Sequence, residues 1–107
     1  MKERIIEIVE RNYTNPQFDI NSLASEMGFS RIYINTKFNF IMGCSPHEYL
    51  EKARINKAKD LLLEENKIID VCKSSGYSNK KTFYLAFKRQ TGNTPKEFVL
   101  LNCETCD

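Results

Sequence analysis

An all-α fold of about seven helices, in which two similar halves flank one long helix, is what this 107-residue sequence predicts. Three observations carry the prediction. Apolar residues fall at helical spacing in one segment after another. Leu23-Ala24, Gly28-Phe29-Ser30, Phe38, Gly43, Ser45-Pro46 and Tyr49 are followed, in the same order of residue types, by Val71-Cys72, Gly76-Tyr77-Ser78, Phe87, Gly92, Thr94-Pro95 and Phe98, so the chain contains an internal repeat. Between the copies, no Gly or Pro interrupts the stretch from Pro46 to about Glu64. The repeat offset is 48 between Gly28 and Gly76 and 49 between Gly43 and Gly92, which places one inserted residue at the start of the second copy's basic helix.

Residues 1–13 read as a helix with Ile5, Ile6, Val9 and Tyr13 on one face, ended by Asn15-Pro16. Asp19 then caps a helix from Ile20 to Met27 whose Ile20, Leu23, Ala24 and Met27 face inward, and Gly28 supplies the turn. Ser30 caps the next helix, Arg31 to about Met42. Its inward stripe is Ile34, Phe38 and Ile41, and its opposite stripe is Ile32, Asn35, Thr36 and Asn39. Ser45-Pro46-His47-Glu48 and Thr94-Pro95-Lys96-Glu97 are capping boxes with Pro at the first helical position. His47 belongs to the first box and is read as a helix-start surface residue.

The connector carries Tyr49, Leu50, Ala53, Ala58, Leu61 and Leu62 as its apolar positions. Nineteen residues from Pro46 to Glu64, at about 1.5 Å each, give a rod of roughly 28 Å. Such a rod is comparable with the ~34 Å that separates successive major-groove faces on one side of B-DNA. Beyond it, a short amphipathic helix begins near Ile69, turns at Gly76, and leads into a helix bearing Lys80, Lys81, Lys88 and Arg89 that stops at Gly92. Phe83 and Phe87 face inward there; Lys81, Tyr84, Leu85 and Lys88 match positions 32, 35, 36 and 39 of the first copy. Helix, tight turn, basic helix is the layout of a helix-turn-helix DNA reader, and it occurs twice.

Composition narrows the classes further. The length suits one small domain or two fused lobes, divided as residues 5–45, a linker helix 46–64, residues 67–101 and a tail 102–107. Sixteen Lys plus Arg against 14 Asp plus Glu give a net charge of +2, too small by itself to point to nucleic acid. The distribution matters more: Lys73, Lys80, Lys81, Lys88, Arg89 and Lys96 face only Glu97 and the upstream Asp70. No signal-peptide core or membrane-length apolar run is present, so a cytoplasmic protein without a membrane partner is expected. Of four cysteines, Cys44 and Cys72 suit small packing positions. Cys103 and Cys106 have the spacing of a zinc or redox pair, but no second pair or His cluster accompanies them, and incidental thiols of a frayed end are the plainer reading. Neither metal nor cofactor is expected. Without convergent acid, base or nucleophile and without a glycine-rich phosphate loop, neither is an enzyme.

The paired motifs, Gly28-Phe29-Ser30 with Phe38 to Pro46 and Gly76-Tyr77-Ser78 with Phe87-Lys88-Arg89 and Gly92-Asn93-Thr94-Pro95, resemble the AraC/XylS family of bacterial transcription regulators over about residues 5–100. The connector from Ala53 to Leu62 is also similar, and the nearest likeness is to the C-terminal output domain of YesN-like two-component response regulators. The resemblance implies two helix-turn-helix lobes on one polypeptide, bound to an asymmetric site in double-stranded promoter DNA. RNA polymerase is an implied partner, and many members carry a sensor or receiver domain upstream while others stand alone. Carried over position by position, base reading falls on Ile32, Asn35 and Thr36 in lobe one and on Lys80, Lys81, Tyr84 and Leu85 in lobe two. Arg31, Asn39 and Lys88 become backbone or groove-flanking contacts. Many members have Arg where this chain has Thr36 and Leu85, so the usual bidentate guanine contact is in doubt here. What remains suits A·T pairs, through thymine methyl contacts of Ile32, Thr36 and Leu85 and an adenine contact of Asn35. The rival from another class is a helical protein-interaction module built on Ile32, Tyr33, Phe40 and Leu85.

Overall fold

The helix boundaries follow from local capping chemistry. A computed structural model describes residues 1–64 and 67–102, which form α1 (Lys2–Asn12), α2 (Ile20–Met27), α3 (Arg31–Met42), α4 (Pro46–Leu63), α5 (Ile68–Ser74), α6 (Lys80–Thr91) and α7 (Pro95–Asn102). Asp19 accepts the Ser22 N–H at 3.0 Å, Ser30 that of Tyr33 at 3.2 Å, Ser45 that of Glu48 at 3.1 Å and Asn79 that of Thr82 at 3.1 Å. Each bond satisfies one of the backbone donors a helix start leaves unpaired. At α7 the box closes both ways: Thr94 Oγ1 accepts from Glu97 N at 3.2 Å and Glu97 Oε1 accepts from Thr94 N at 2.9 Å. At the other ends, α2 and α3 stop on Gly28 and Gly43, both at φ +77°.

Two cores result, each inside one helix trio. Ile5, Ile8, Val9, Phe18, Leu23, Ala24, Met27, Ile34 and Phe38 fill the first, closed from α4 by Tyr49 and Leu50. Ile55, Ala58 and Leu62 of α4 join Val71, Cys72, Tyr77, Phe83, Ala86 and Phe87 in the second. The long helix thus gives its first turns to one lobe and its last to the other, and the molecule extends 52 × 23 × 22 Å.

Three sequence expectations change. On α1, Ile8 rather than Ile6 is buried with Ile5 and Val9. Both choices make an equally good helical stripe, and the position of neighbouring helices, not periodicity, decides between them. Ile41 is only half-buried, because the last turn of α3 passes the edge of the core, where Met42 packs instead. The residue inserted in the second repeat lies in the turn and not in the helix: α3 and α6 both have 12 residues, and Asn79, one place after Ser78, is the cap.

The lobes also touch directly. Arg54, on α4, donates from Nε to Tyr13 O at 2.7 Å and from Nη2 to Asn15 O and Phe18 O at 3.0 and 3.1 Å. Its guanidinium carbon lies 5.7 Å from the centre of the Tyr77 ring in lobe two. Gly76, at φ +104°, has so little room that a Cβ there would sit 2.4 Å from Tyr13 O.

Candidate nucleic-acid interface

Two helices present their outer faces to solvent, and they differ in chemistry. On α3, Arg31, Ile32, Asn35, Thr36 and Asn39 are all exposed, Ile32 at 81%. Phe40 continues the stripe at 88%. Thr36 Oγ1 donates to Ile32 O at 3.0 Å and Asn39 Nδ2 to Asn35 O at 2.9 Å. With its hydroxyl hydrogen turned inward, Thr36 offers a methyl group and an acceptor oxygen outward. Asn35 has no side-chain hydrogen bond among the described residues, so its amide keeps both a donor and an acceptor free.

On α6, Lys80, Lys81, Leu85 and Lys88 are exposed and Tyr84 is half-buried. Tyr84 rests edge-on against Phe83, with ring centres 6.0 Å apart, and Lys80 Nζ sits 5.5 Å from its ring centre. Lys80 thus lies over a face of the Tyr84 ring. Lys80 and Lys81 form no ion pair among the described residues. Lys88 lies close enough to Glu97 to help hold that carboxyl below the usual carboxylate range, behind the larger effect of the Thr94 hydrogen bonds. One stripe is thus apolar and amide-bearing, the other cationic.

Arg89, counted from the sequence among the basic residues of this helix, is engaged elsewhere. It grips the buried Glu51 of α4 with Nε to Oε1 at 2.9 Å and Nη2 to Oε2 at 2.8 Å, while Gln90 Nε2 donates to Oε1 at 3.0 Å. His47, exposed at the start of α4, brings Nε2 to 3.6 Å from Glu51 Oε2. Sequence reasoning missed Glu51, Arg54 and Ile55. For Glu51 and Ile55 a signal existed: with Ala58 and Leu62 they are spaced i, i+4, i+7, i+11 and form the buried stripe of α4.

The Arg89 hydrogen bonds, against burial and with help from Gln90, hold the Glu51 carboxyl below the usual carboxylate range. A folded-state value below the unfolded one means that the ionised form favours folding. This contribution is complete above the unfolded glutamate value of about 4.3 and disappears as pH falls through the lower folded value. Glu51→Gln is therefore expected to cost about 1 kcal/mol at pH 7, less than the usual ~1.5 to 3 kcal/mol of a charged hydrogen bond because Arg89 is 60% exposed. The gap to the unaltered protein should shrink below about pH 4. Urea unfolding midpoints of both proteins from pH 7 to pH 3 measure it.

A cleft of about 250 Å³ separates the lobes on this side, walled by Pro16, Glu51, Arg54, Tyr77, Asn79 and Arg89. The described residues contain no group of three His, Cys, Asp or Glu side chains placed to hold a metal ion. Cys103 and Cys106 lie outside the described residues. Among the described residues no helix is long and apolar enough to cross a membrane.

The same two-lobed arrangement occurs in known proteins. The helix-turn-helix domain family HTH_18 matches residues 23–100, which spans both reading helices and the linker. The C-terminal domain of the two-component response regulator yesN from Fusobacterium nucleatum superposes with a TM-score of 0.89 at 32% identity, covering 92% of this chain and 96% of that one. This chain belongs to the AraC-type helix-turn-helix family. Among curated members it is 31% identical over 102 residues to the probable transcription factor PqrA of Proteus vulgaris, covering 85% of this chain and 84% of PqrA. It is 33% identical over 95 residues to the bifunctional transcriptional activator/DNA repair enzyme AdaA of Bacillus subtilis, covering 88% of this chain but 44% of AdaA. AraC-type relatives of this chain are mainly transcription regulators. The seven helices of the described residues are the all-α architecture that the resemblance implied.

Proposed function

We propose that this AraC-type domain regulates transcription by reading two adjacent major-groove segments of promoter DNA, one with α3 and one with α6. The observation that carries the proposal is the pair of capped, solvent-facing helices held at either side of an 18-residue linker helix. At about 1.5 Å per residue the linker is ~27 Å long, which suits neighbouring grooves on one side of a duplex. Ile32, Asn35 and Thr36 read bases in the first segment, and Lys80, Lys81, Tyr84 and Leu85 in the second. Arg31, Asn39 and Lys88 contact backbone or groove walls. The domain works in the cytoplasm, is not an enzyme, and contacts RNA polymerase.

The chemistry of α3 favours A·T pairs. Ile32 and the Thr36 methyl suit the thymine methyl, and the free Asn35 amide suits the two-point edge of adenine. Selection of bound duplexes from a random pool at two salt concentrations is expected to return one asymmetric site, A·T-rich in the first element, with affinity falling as salt rises. G·C-rich first elements would overturn the α3 assignment. Lys88→Ala should weaken binding to all sequences alike and reduce the salt slope by about 1, as loss of one phosphate contact does; a loss confined to some sequences would make Lys88 a base reader.

The exposure of Ile32, Tyr33, Phe40 and Leu85 supports a second reading, a helical protein-interaction module. Lysines beside Tyr84 weigh against it, since interface cores are depleted of lysine. Absence of DNA binding at either salt concentration would favour it.

A further inference from the structure

The two apolar cores share no side chain and each packs on its own part of α4, so apolar packing alone leaves the angle between the lobes to the stiffness of one helix. The direct contact between lobes is polar and centres on one side chain. Beyond the end of α1 the carbonyls of Tyr13, Asn15 and Phe18 converge on the Arg54 guanidinium. A planar fork with five donors can serve several acceptors at once, which an ammonium cannot do in the same geometry. The guanidinium also lies over the Tyr77 ring. Gly76, next to Tyr77, meets Tyr13 O so closely that a Cβ would also come within 2.9 Å of Arg54 Nε and 3.1 Å of Thr14 Cα. Three residues separate Gly76 from Lys80, the first residue of α6. The turn that aims the second reading helix is thereby seated on the backbone of lobe one.

We propose that Arg54 is a positioning residue that fixes the separation and rotation of α6 relative to α3, and so the spacer length the domain accepts between its two DNA elements. The spacer part rests on the two-segment reading above. One added base pair shifts the second element by about 3.4 Å and turns it by about 35°. A locked seam cannot follow that shift, and a loosened one can. With Arg54 in place, altering the spacer by one base pair should lower affinity about tenfold or more; in Arg54→Ala the penalty should fall to about threefold or less, with weaker binding at the preferred spacing.

The experiment pairs this spacer series with a measurement that needs no DNA. Spin labels at cysteines placed at the exposed Ser25 and Ser74, one per lobe, with Cys44, Cys103 and Cys106 changed to serine, report the inter-lobe distance by pulsed dipolar spectroscopy. A narrow distance distribution with Arg54 that broadens in a folded Arg54→Ala, together with the flattened spacer profile, supports the proposal. An equally narrow distribution and an unchanged spacer profile overturn it. Should Arg54→Ala not fold, Arg54→Lys, which keeps the charge but not the fork, takes its place with the same two outcomes. If the unaltered protein selects no two-element site, the two-segment reading has failed, and the distance distributions still decide whether Arg54 sets the lobe geometry.

Discussion

Phe83→Ala is expected to lower the unfolding free energy by about 3 to 5 kcal/mol, the usual cost of truncating a fully buried phenylalanine. Phe83 has no solvent exposure and stands at the centre of an aromatic group, with ring centres 5.4 Å from Tyr77, 5.8 Å from Phe87 and 6.0 Å from Tyr84. The change removes the transfer energy of the ring and leaves three neighbours facing a void that they cannot all enter. A small domain holds only about 5 to 15 kcal/mol in total, so lobe two should lose much of its protection. Because the cores share no buried side chain, the loss should be local. Hydrogen exchange should accelerate throughout α5 to α7 and much less in α1 to α3; equal acceleration in both lobes would show that they unfold as one unit.

Gly76→Ala should be the most damaging of the glycine-to-alanine changes, and Gly28→Ala measures why. Gly28 also has a positive φ, +77°, but nothing lies within 4 Å of where its Cβ would be. Alanine there carries only the left-handed backbone cost, about 1 to 2 kcal/mol. At Gly76, φ is +104° and the added carbon meets backbone at 2.4 Å. Moving that backbone adds overpacking, typically about 1 to 3 kcal/mol. Chemical denaturation of both variants should therefore place Gly76→Ala below Gly28→Ala by that amount. Equal losses would mean that the inter-lobe contact yields at little cost.

The features legible in the sequence were those whose cause is local. Asp19, Ser30 and the Thr94-Glu97 pair bond to backbone within three residues of themselves, and Gly28 and Gly43 answer to their own φ. The solvent-facing stripe of α3 was equally readable, because helical spacing separates Ile32, Asn35 and Thr36 from the buried Ile34 and Phe38. Ser78 and Asn79 are both competent caps, so periodicity could not say which side of the helix boundary held the inserted residue. The partners of Glu51 and Arg54 lie 38 and 41 positions away, so although helical spacing puts Glu51 on the buried stripe of α4, nothing local names the partner of either. Arg89 is the other half of the Glu51 pairing: its charge is largely answered by a carboxylate that no local pattern connects to it.

The division of α4 between two cores also sets an order of assembly. Every residue packed into the first core lies between Ile5 and Leu50, and every residue of the second between Ile55 and Val99. Contacts this local in sequence close small loops and favour fast folding. During synthesis, where chains fold from the N-terminus onward, the first lobe has its full complement of core side chains once Leu50 has left the ribosome. The second lobe must wait for α7. Gly76 and Tyr77 then dock onto a neighbour that is already folded, so the junction between the lobes forms last and against a finished template.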